Sequence, residues 1–153
     1  TVVSADQMQQ VMLEHLANAD IIIMSAAVAD VKPKDYSSEK LPKRSLPESL
    51  PLAAVPDIVA EIGNRKQPHQ YLIGFAAQTG DIITPAKEKL QRKKLDAIVA
   101  NPIDKVDSGF GSDNNQAVFL DRLGRELEIP ACSKLEMAHY LFDFVKQNPL
   151  AWV

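Results

Sequence analysis

The chain has 153 residues, 46% of them hydrophobic and 24% charged, with one cysteine and a formal net charge of −3. That length supports one domain with a sizeable core, and the composition excludes a disordered tail. The single cysteine excludes a disulfide framework or a Cys-based structural zinc site, and the acidic balance argues against a generic DNA-binding module.

The elements follow in chain order. Thr1-Val2-Val3 reads as the tail of a strand. Ser4 is placed to cap a helix over residues 6–17, where Met8, Val11, Met12, His15 and Leu16 recur at three and four residues. Ile21 to Met24 is a continuous apolar run, the pattern of a strand buried on both faces. Between residues 30 and 50, Pro33, Pro42 and Pro47 stand among charges and serines, which predicts a long exposed loop or flap. A short strand at Pro51 to Val55 precedes a helix that starts at Pro56-Asp57 and runs to about Gly63. Tyr71 to Ala76 is a second buried strand. A helix from Thr84 to Lys94 follows, with Pro85 at its first position, and then a strand from Leu95 to Ala100. Beyond a polar loop at residues 101–115, Gln116 to Leu120 and Arg125 to Ile129 flank Asp121-Arg122-Leu123-Gly124 as a hairpin. Ser133 caps a last helix with Leu135, Met137, Ala138, Leu141, Phe142 and Val145 along one side. The alternation predicts an α/β fold: a Rossmann-like, mostly parallel sheet with helices on both faces and a C-terminal antiparallel hairpin. The longest apolar run, Ile21 to Ala29, is far short of the roughly 18–20 residues of a bilayer span, and no leader pattern is visible. Cytoplasm is the expected compartment, with no membrane and no nucleic-acid partner.

In such sheets ligands bind beyond the carboxyl ends of the strands. Ser25-Ala26-Ala27-Val28-Ala29-Asp30 and Gly74-Phe75-Ala76-Ala77-Gln78-Thr79-Gly80 follow two adjacent strands. Small residues there let a ligand approach the main chain, although close packing against crossover helices needs them too. Ten of the 17 basic residues fall in two stretches: Lys32, Lys34, Lys40, Lys43 and Arg44, then Lys87, Lys89, Arg92, Lys93 and Lys94. Only Glu88 offsets the second group, and Lys89 and Lys93 share one helix face. A solvated face explains such a run; a bound compact anion also would, by removing the repulsion. Neither G-x-x-x-x-G-K-[ST] nor G-x-G-x-x-G is present. His15, His69 and His139 are scattered, and Cys132 reads as packing rather than as a nucleophile.

Taken together, Ser25 to Asp30, Glu39-Lys40, Pro56-Asp57-Ile58-Val59, Gly74 to Thr79, Lys89 and Lys93, Leu95-Asp96 with Ala100-Asn101, and Gly109 to Asn115 stand in one order and spacing. That series resembles the phosphopantothenate–cysteine ligase domain of bacterial bifunctional coenzyme A biosynthesis proteins, over nearly the whole chain. The resemblance implies a reaction in which CTP activates the carboxylate of 4′-phosphopantothenate as an acyl-cytidylate. The cysteine amine then displaces CMP. It implies Mg²⁺ beside the triphosphate, a homodimer, and flavin mononucleotide (FMN) only where a decarboxylase is fused upstream.

Carried over by motif, Met24, Ser25, Ala26 and Asp30 meet the nucleotide, Ala26 and Ala27 the phosphopantothenate, and Lys40 closes on the triphosphate as the catalytic charge. Pro56, Asp57, Ile58 and Val59 read the pyrimidine, Phe75 forms a wall, and Lys89 and Lys93 hold phosphates. No metal ligands are assigned. Gln78 stands where the family often has Glu. The family's domain opens with a further strand, a Gly-rich loop and an Asn-containing segment that the matched region does not include. The expectation is therefore that residues 1–153 are the C-terminal portion of a single ligase domain, inactive alone. The alternatives are a non-catalytic nucleotide-binding module and a fragment of an NAD(P)-type oxidoreductase.

Overall fold

The computed structural model describes residues 1–46, 48–104 and 113–147. Helix α1 (Ala5–Leu16) leads into β1 (Ile21–Met24). An arm follows, made of β2 (Val31–Pro33), a 3-10 turn (Lys43–Ser45) and β3 (Leu52–Ala54). Then come α2 (Ile58–Arg65), β4 (Tyr71–Gln78), α3 (Ile83–Arg92), β5 (Ala97–Pro102), β6 (Asn114–Asp121), β7 (Glu126–Ser133) and α4 (Lys134–Lys146). The main sheet runs β1-β4-β5-β6-β7, and β2 and β3 form a separate two-stranded sheet. β1, β4 and β5 are mutually parallel, with Met24 opposite Gly74 and Ala76 opposite Ala100; β6 and β7 continue the sheet antiparallel. The architecture is the expected α/β fold with its antiparallel hairpin.

Period-two alternation divides the core. Ile22, Met24, Leu72, Ile98 and Leu120 face α1, α2 and α3 through Leu16, Ile58, Ile62 and Leu90. Tyr71, Ile73, Val99, Phe119 and Ile129 face α4 through Met137, Leu141, Phe144 and Val145. The crossovers β1-α2-β4 and β4-α3-β5 step in the same direction along the sheet. Right-handed connection therefore puts α2 and α3 on one face. Among the described residues no helix is long and apolar enough to cross a membrane.

Several local expectations change. Thr1 to Val3 forms no strand: Val3 is 92% exposed, and no described strand lies beside it to pair. Among the described residues β1 is an edge strand that pairs only with β4, and Ile23 is exposed rather than buried on both faces. The flap contains a strand, since Pro33 tolerates an edge position where its missing N–H is not needed. α3 starts at Ile83, before Pro85, because the Asp81 carboxylate accepts the N–H groups of Ile83 and Thr84 and opens the helix there. α2 extends past Gly63 to Arg65. β5 starts at Ala97 and β6 at Asn114. Residues 109–112 of the Gly-containing segment, like Pro47, lie outside the described residues.

Helix ends are written locally. Ser4 accepts the Gln7 N–H while the Gln7 side chain accepts the Ser4 N–H, and Ser133 and Glu136 do the same for α4.

At the base of the sheet, opposite the strand ends that line a site, the Asp96 carboxylate is 2% exposed and fully engaged. It accepts the Leu72 N–H at 2.7 Å and pairs with Lys66 at 2.9 Å and Arg122 at 3.3 Å. Gln70 beside it donates to the carbonyls of Leu16 (2.5 Å) and Ala19 (2.6 Å). Asp96→Ala would strand the largely buried Lys66 ammonium and the Leu72 N–H. The expected cost is about 3–5 kcal/mol, measured as a lower urea midpoint with an unchanged slope.

Candidate functional site

A crevice of about 230 Å³ opens at the carboxyl ends of β1 and β4. Its first wall is Met24 at the end of β1 and the irregular segment Ala26 to Asp30. Val55 and Pro56 lead into the second wall, where Asp57 caps α2 by accepting the Ala60 N–H at 3.1 Å and Ile58 and Val59 begin the helix. Gly74, Phe75, Leu95 and Ile98 form the floor and back. Lys89 and Lys93 reach in from α3. Gly74 leaves room for packing: a Cβ there would stand 2.7 Å from a terminal methyl of Leu95, which would have to shift.

The five basic residues on and after α3 divide by position. Lys87, Arg92 and Lys94 are exposed, and Lys87 pairs with Glu126 at 2.6 Å. Lys89 and Lys93 are half-buried. Lys93 is neutralised by Asp57, with its Nζ 3.1 Å from Oδ1 and 3.0 Å from Oδ2. Burial pushes the Asp57 carboxyl up, but the hydrogen bonds from Lys93 and Ala60 and the positive charge of Lys93 outweigh it and hold the group below the usual carboxylate range. Lys89 has no ion-pair partner among the described residues. Burial, then the charges of Lys93 and Arg92, lower its affinity for a proton, with Asp30 acting the other way. A half-desolvated ammonium facing a crevice beside a helix N-terminus favours a negatively charged occupant.

Of the residues singled out from sequence, the crevice gathers Met24, Ala26, Ala27, Asp30, Pro56, Asp57, Ile58, Val59, Phe75, Lys89 and Lys93. Ser25 sits in the same turn, exposed, outside the lining. Lys40 lies on the exposed arm, away from the crevice wall. Val28, Ala29, Gly74 and Leu95, which stand in the quoted motifs without a role of their own, and Val55 and Ile98, which stand in none, also line it. The signal for Gly74 was its place at a strand end and that for Leu95 its place in the Leu95-Asp96 motif, while Ile98 read only as core. Among the described residues no three His, Cys, Asp or Glu side chains converge to hold a metal ion.

Comparison with known proteins places these features in a family. Residues 1–148 match the family model of the DNA/pantothenate metabolism flavoprotein C-terminal domain. The coenzyme A biosynthesis bifunctional protein CoaBC of Bacillus subtilis is 39% identical over 135 residues, covering 88% of this chain and 33% of that protein. A cysteine/cysteine sulfinic acid decarboxylase of an unknown prokaryotic organism is 40% identical over 119 residues, covering 78% of this chain and 33% of that protein. The crystal structure of a CoaBC C-terminal domain superposes with a TM-score of 0.75 at 32% identity, covering 95% of this chain and 64% of that one. The chain thus spans about a third of the length of these curated relatives. It belongs to the DNA/pantothenate metabolism flavoprotein C-terminal domain family.

Proposed function

We propose that this chain supplies the nucleotide-binding part of a phosphopantothenate–cysteine ligase acting in coenzyme A biosynthesis, with CTP as the activating nucleotide. One observation carries the reading. The strand-end crevice, built by the small-residue segment and the start of α2, holds a half-buried lysine, Lys89, that makes no direct ion pair among the described residues, Asp30 of the opposite wall acting on it only from a distance. A nucleotide phosphate supplies the close anionic partner. Family membership and the CoaBC relatives support the pathway.

In this reading a carboxylate oxygen of 4′-phosphopantothenate attacks the α-phosphorus of CTP and pyrophosphate departs. The cysteine nitrogen then attacks the acyl carbon and CMP departs. No protein nucleophile is needed. The chain's residues bind and orient: Ala26 and Ala27 admit the acyl substrate close to the main chain, Phe75 walls the base, and Asp30, Asp57 and the start of α2 border the nucleotide. Lys89 holds phosphate charge as it develops on the leaving group. Lys40 is assigned the same task from the arm, which has to fold over the crevice to perform it. Mg²⁺ accompanies the triphosphate in this reading, but the described residues offer no converging ligand set, and no step is routed through it. FMN belongs to this reading only where a flavin domain is joined to the chain. Because the chain covers a third of its relatives' length, we infer that the full reaction draws on residues beyond these.

The arm carries Leu41, Leu46, Leu50 and Leu52 at 48–63% exposure, and its two-stranded sheet, which holds only the last of them, is too small to bury them. We assign their cover to a second copy in a homodimer. Sedimentation should give twice the monomer mass, and Leu41→Asp with Leu46→Asp should reduce it to the monomer.

The reaction is tested by mass spectrometry of the full-length protein with CTP, 4′-phosphopantothenate and cysteine. Phosphopantothenoylcysteine with stoichiometric CMP is expected, and its absence refutes the assignment. Calorimetry tests the site. Lys89→Ala should weaken CTP binding about tenfold or more, the loss of one charge-assisted contact. The lowered proton affinity of Lys89 gives a sign as well. At alkaline pH, below its ordinary value of 10.5, the free amine is partly deprotonated and a bound phosphate restores the ammonium. CTP binding there should take up protons, and Lys89→Met should abolish the uptake.

A further inference from the structure

Lys93 touches α2 at both ends. Its ammonium reaches the Asp57 carboxylate at the helix N-cap, 3.0 Å away. Its main-chain carbonyl lies against Gly63 in the last turns of the same helix. A Cβ built on Gly63 would stand 2.0 Å from that carbonyl oxygen and 3.1 Å from its carbon. Asp57 and Gly63 are six residues apart, about 9 Å of helix axis at 1.5 Å per residue. The Lys93 side chain therefore runs along α2 as a strut, with both ends fixed.

The other side of the contact has little room to retreat. The Lys93 N–H donates to Lys89 O at 2.9 Å, and the Leu95 N–H donates to Leu90 O at 2.9 Å, closing the helix end. Lys94 makes the turn in the left-handed region, at φ 52°, where glycine is the usual residue. Leu95, immediately after, is 3% exposed in the core. A side chain at position 63 would meet backbone, not a flexible tip, and would wedge α2 away from α3.

Those two helices carry the charged walls of the crevice: Asp57 and the helix start on α2, Lys89 and Lys93 on and after α3. We propose that Gly63 is a positioning residue for the polyphosphate part of the site: its missing Cβ sets the α2–α3 separation, and with it the spacing between the start of α2 and the two lysines. The proposal rests on the crevice being a nucleotide site and adds that it is tuned to a chain of phosphates rather than to a single one. A chain spans both walls and feels their spacing; one phosphate touches one wall and does not.

The test compares inorganic tripolyphosphate, orthophosphate and CTP by calorimetry on the wild-type protein, Gly63→Ala, Lys94→Gly and the double variant. Gly63→Ala should bind tripolyphosphate and CTP about tenfold more weakly and orthophosphate as the wild type does. Lys94→Gly should bind all three normally. In the double variant, glycine at 94 lets the turn give way at lower cost. The melting temperature should recover while tripolyphosphate affinity stays low, and this arm stands if Gly63→Ala alone does not fold. Unchanged tripolyphosphate affinity, an equal loss for orthophosphate, or recovery of affinity together with the melting temperature would each overturn the proposal. Wild-type protein that binds tripolyphosphate but not CTP would instead overturn the nucleotide reading and leave the spacing argument standing.

Discussion

The Asp96 carboxylate is where the domain is tied together. Three elements distant in sequence end on it: the Leu72 N–H of β4, the Lys66 ammonium just past α2, and the Arg122 guanidinium of the β6–β7 turn. A carboxylate this deeply buried is tolerated only when its oxygens are engaged. The requirement works in both directions, fixing the group and fixing whatever binds it. The Asp96 N–H donates to Leu72 O, and the Arg122 N–H to Asp96 O, so the same residue also joins β4, β5 and the hairpin through the main chain. With the lower end of α2 held there, its upper end is directed toward the strand ends, where a cap and a crevice meet.

The two ends of the sheet consequently differ in polarity. At the base, the buried polar side chains Gln70, Asp96 and Asp121 are each hydrogen-bonded, Asp121 to the Leu123 and Arg125 main chain and to the Arg125 guanidinium. At the opposite end, Lys89 is partly withdrawn from water without a partner among the described residues. A chain that satisfies its polar groups at one end and leaves a cation without a direct ion pair at the other gives up some stability where binding restores it.

Much of the framework was legible because local chemistry and tertiary context agreed. The β-branched run Ile21-Ile22-Ile23 is a strand, Ser4 and Ser133 cap helices, and Asp121-Arg122-Leu123-Gly124 turns a hairpin. The crevice was legible for a related reason: small residues at two adjacent strand ends and lysines four apart on a helix converge once the sheet is parallel. What stayed hidden depends on neighbours. Edge or centre for β1 is decided by which strands flank it. The start of α3 is decided by Asp81, whose side chain reaches forward past Ile82. The unequal situations of Lys89 and Lys93, alike in sequence, are decided by Asp57, 36 residues away from Lys93 in the chain. Lys94 carries no mark of its left-handed conformation, because that conformation is imposed by burying Leu95.

The arm joins the body through a narrow neck, and Lys32 of β2 also pairs with Asp6 of α1 at 2.5 Å. Its two strands leave the crevice at Asp30 and return to it at Val55, where the Val55 N–H donates to Asp30 O at 2.9 Å. Both neck residues are also crevice lining. The neck is therefore a fulcrum shared by the binding surface and the projecting limb that carries Lys40. A small displacement of Asp30 or Val55 by an occupant is magnified along the limb by leverage. β2 and β3 pair with each other and not with the main sheet, so resistance to that swing comes from the neck and from the exposed Lys32–Asp6 ion pair, not from the sheet core.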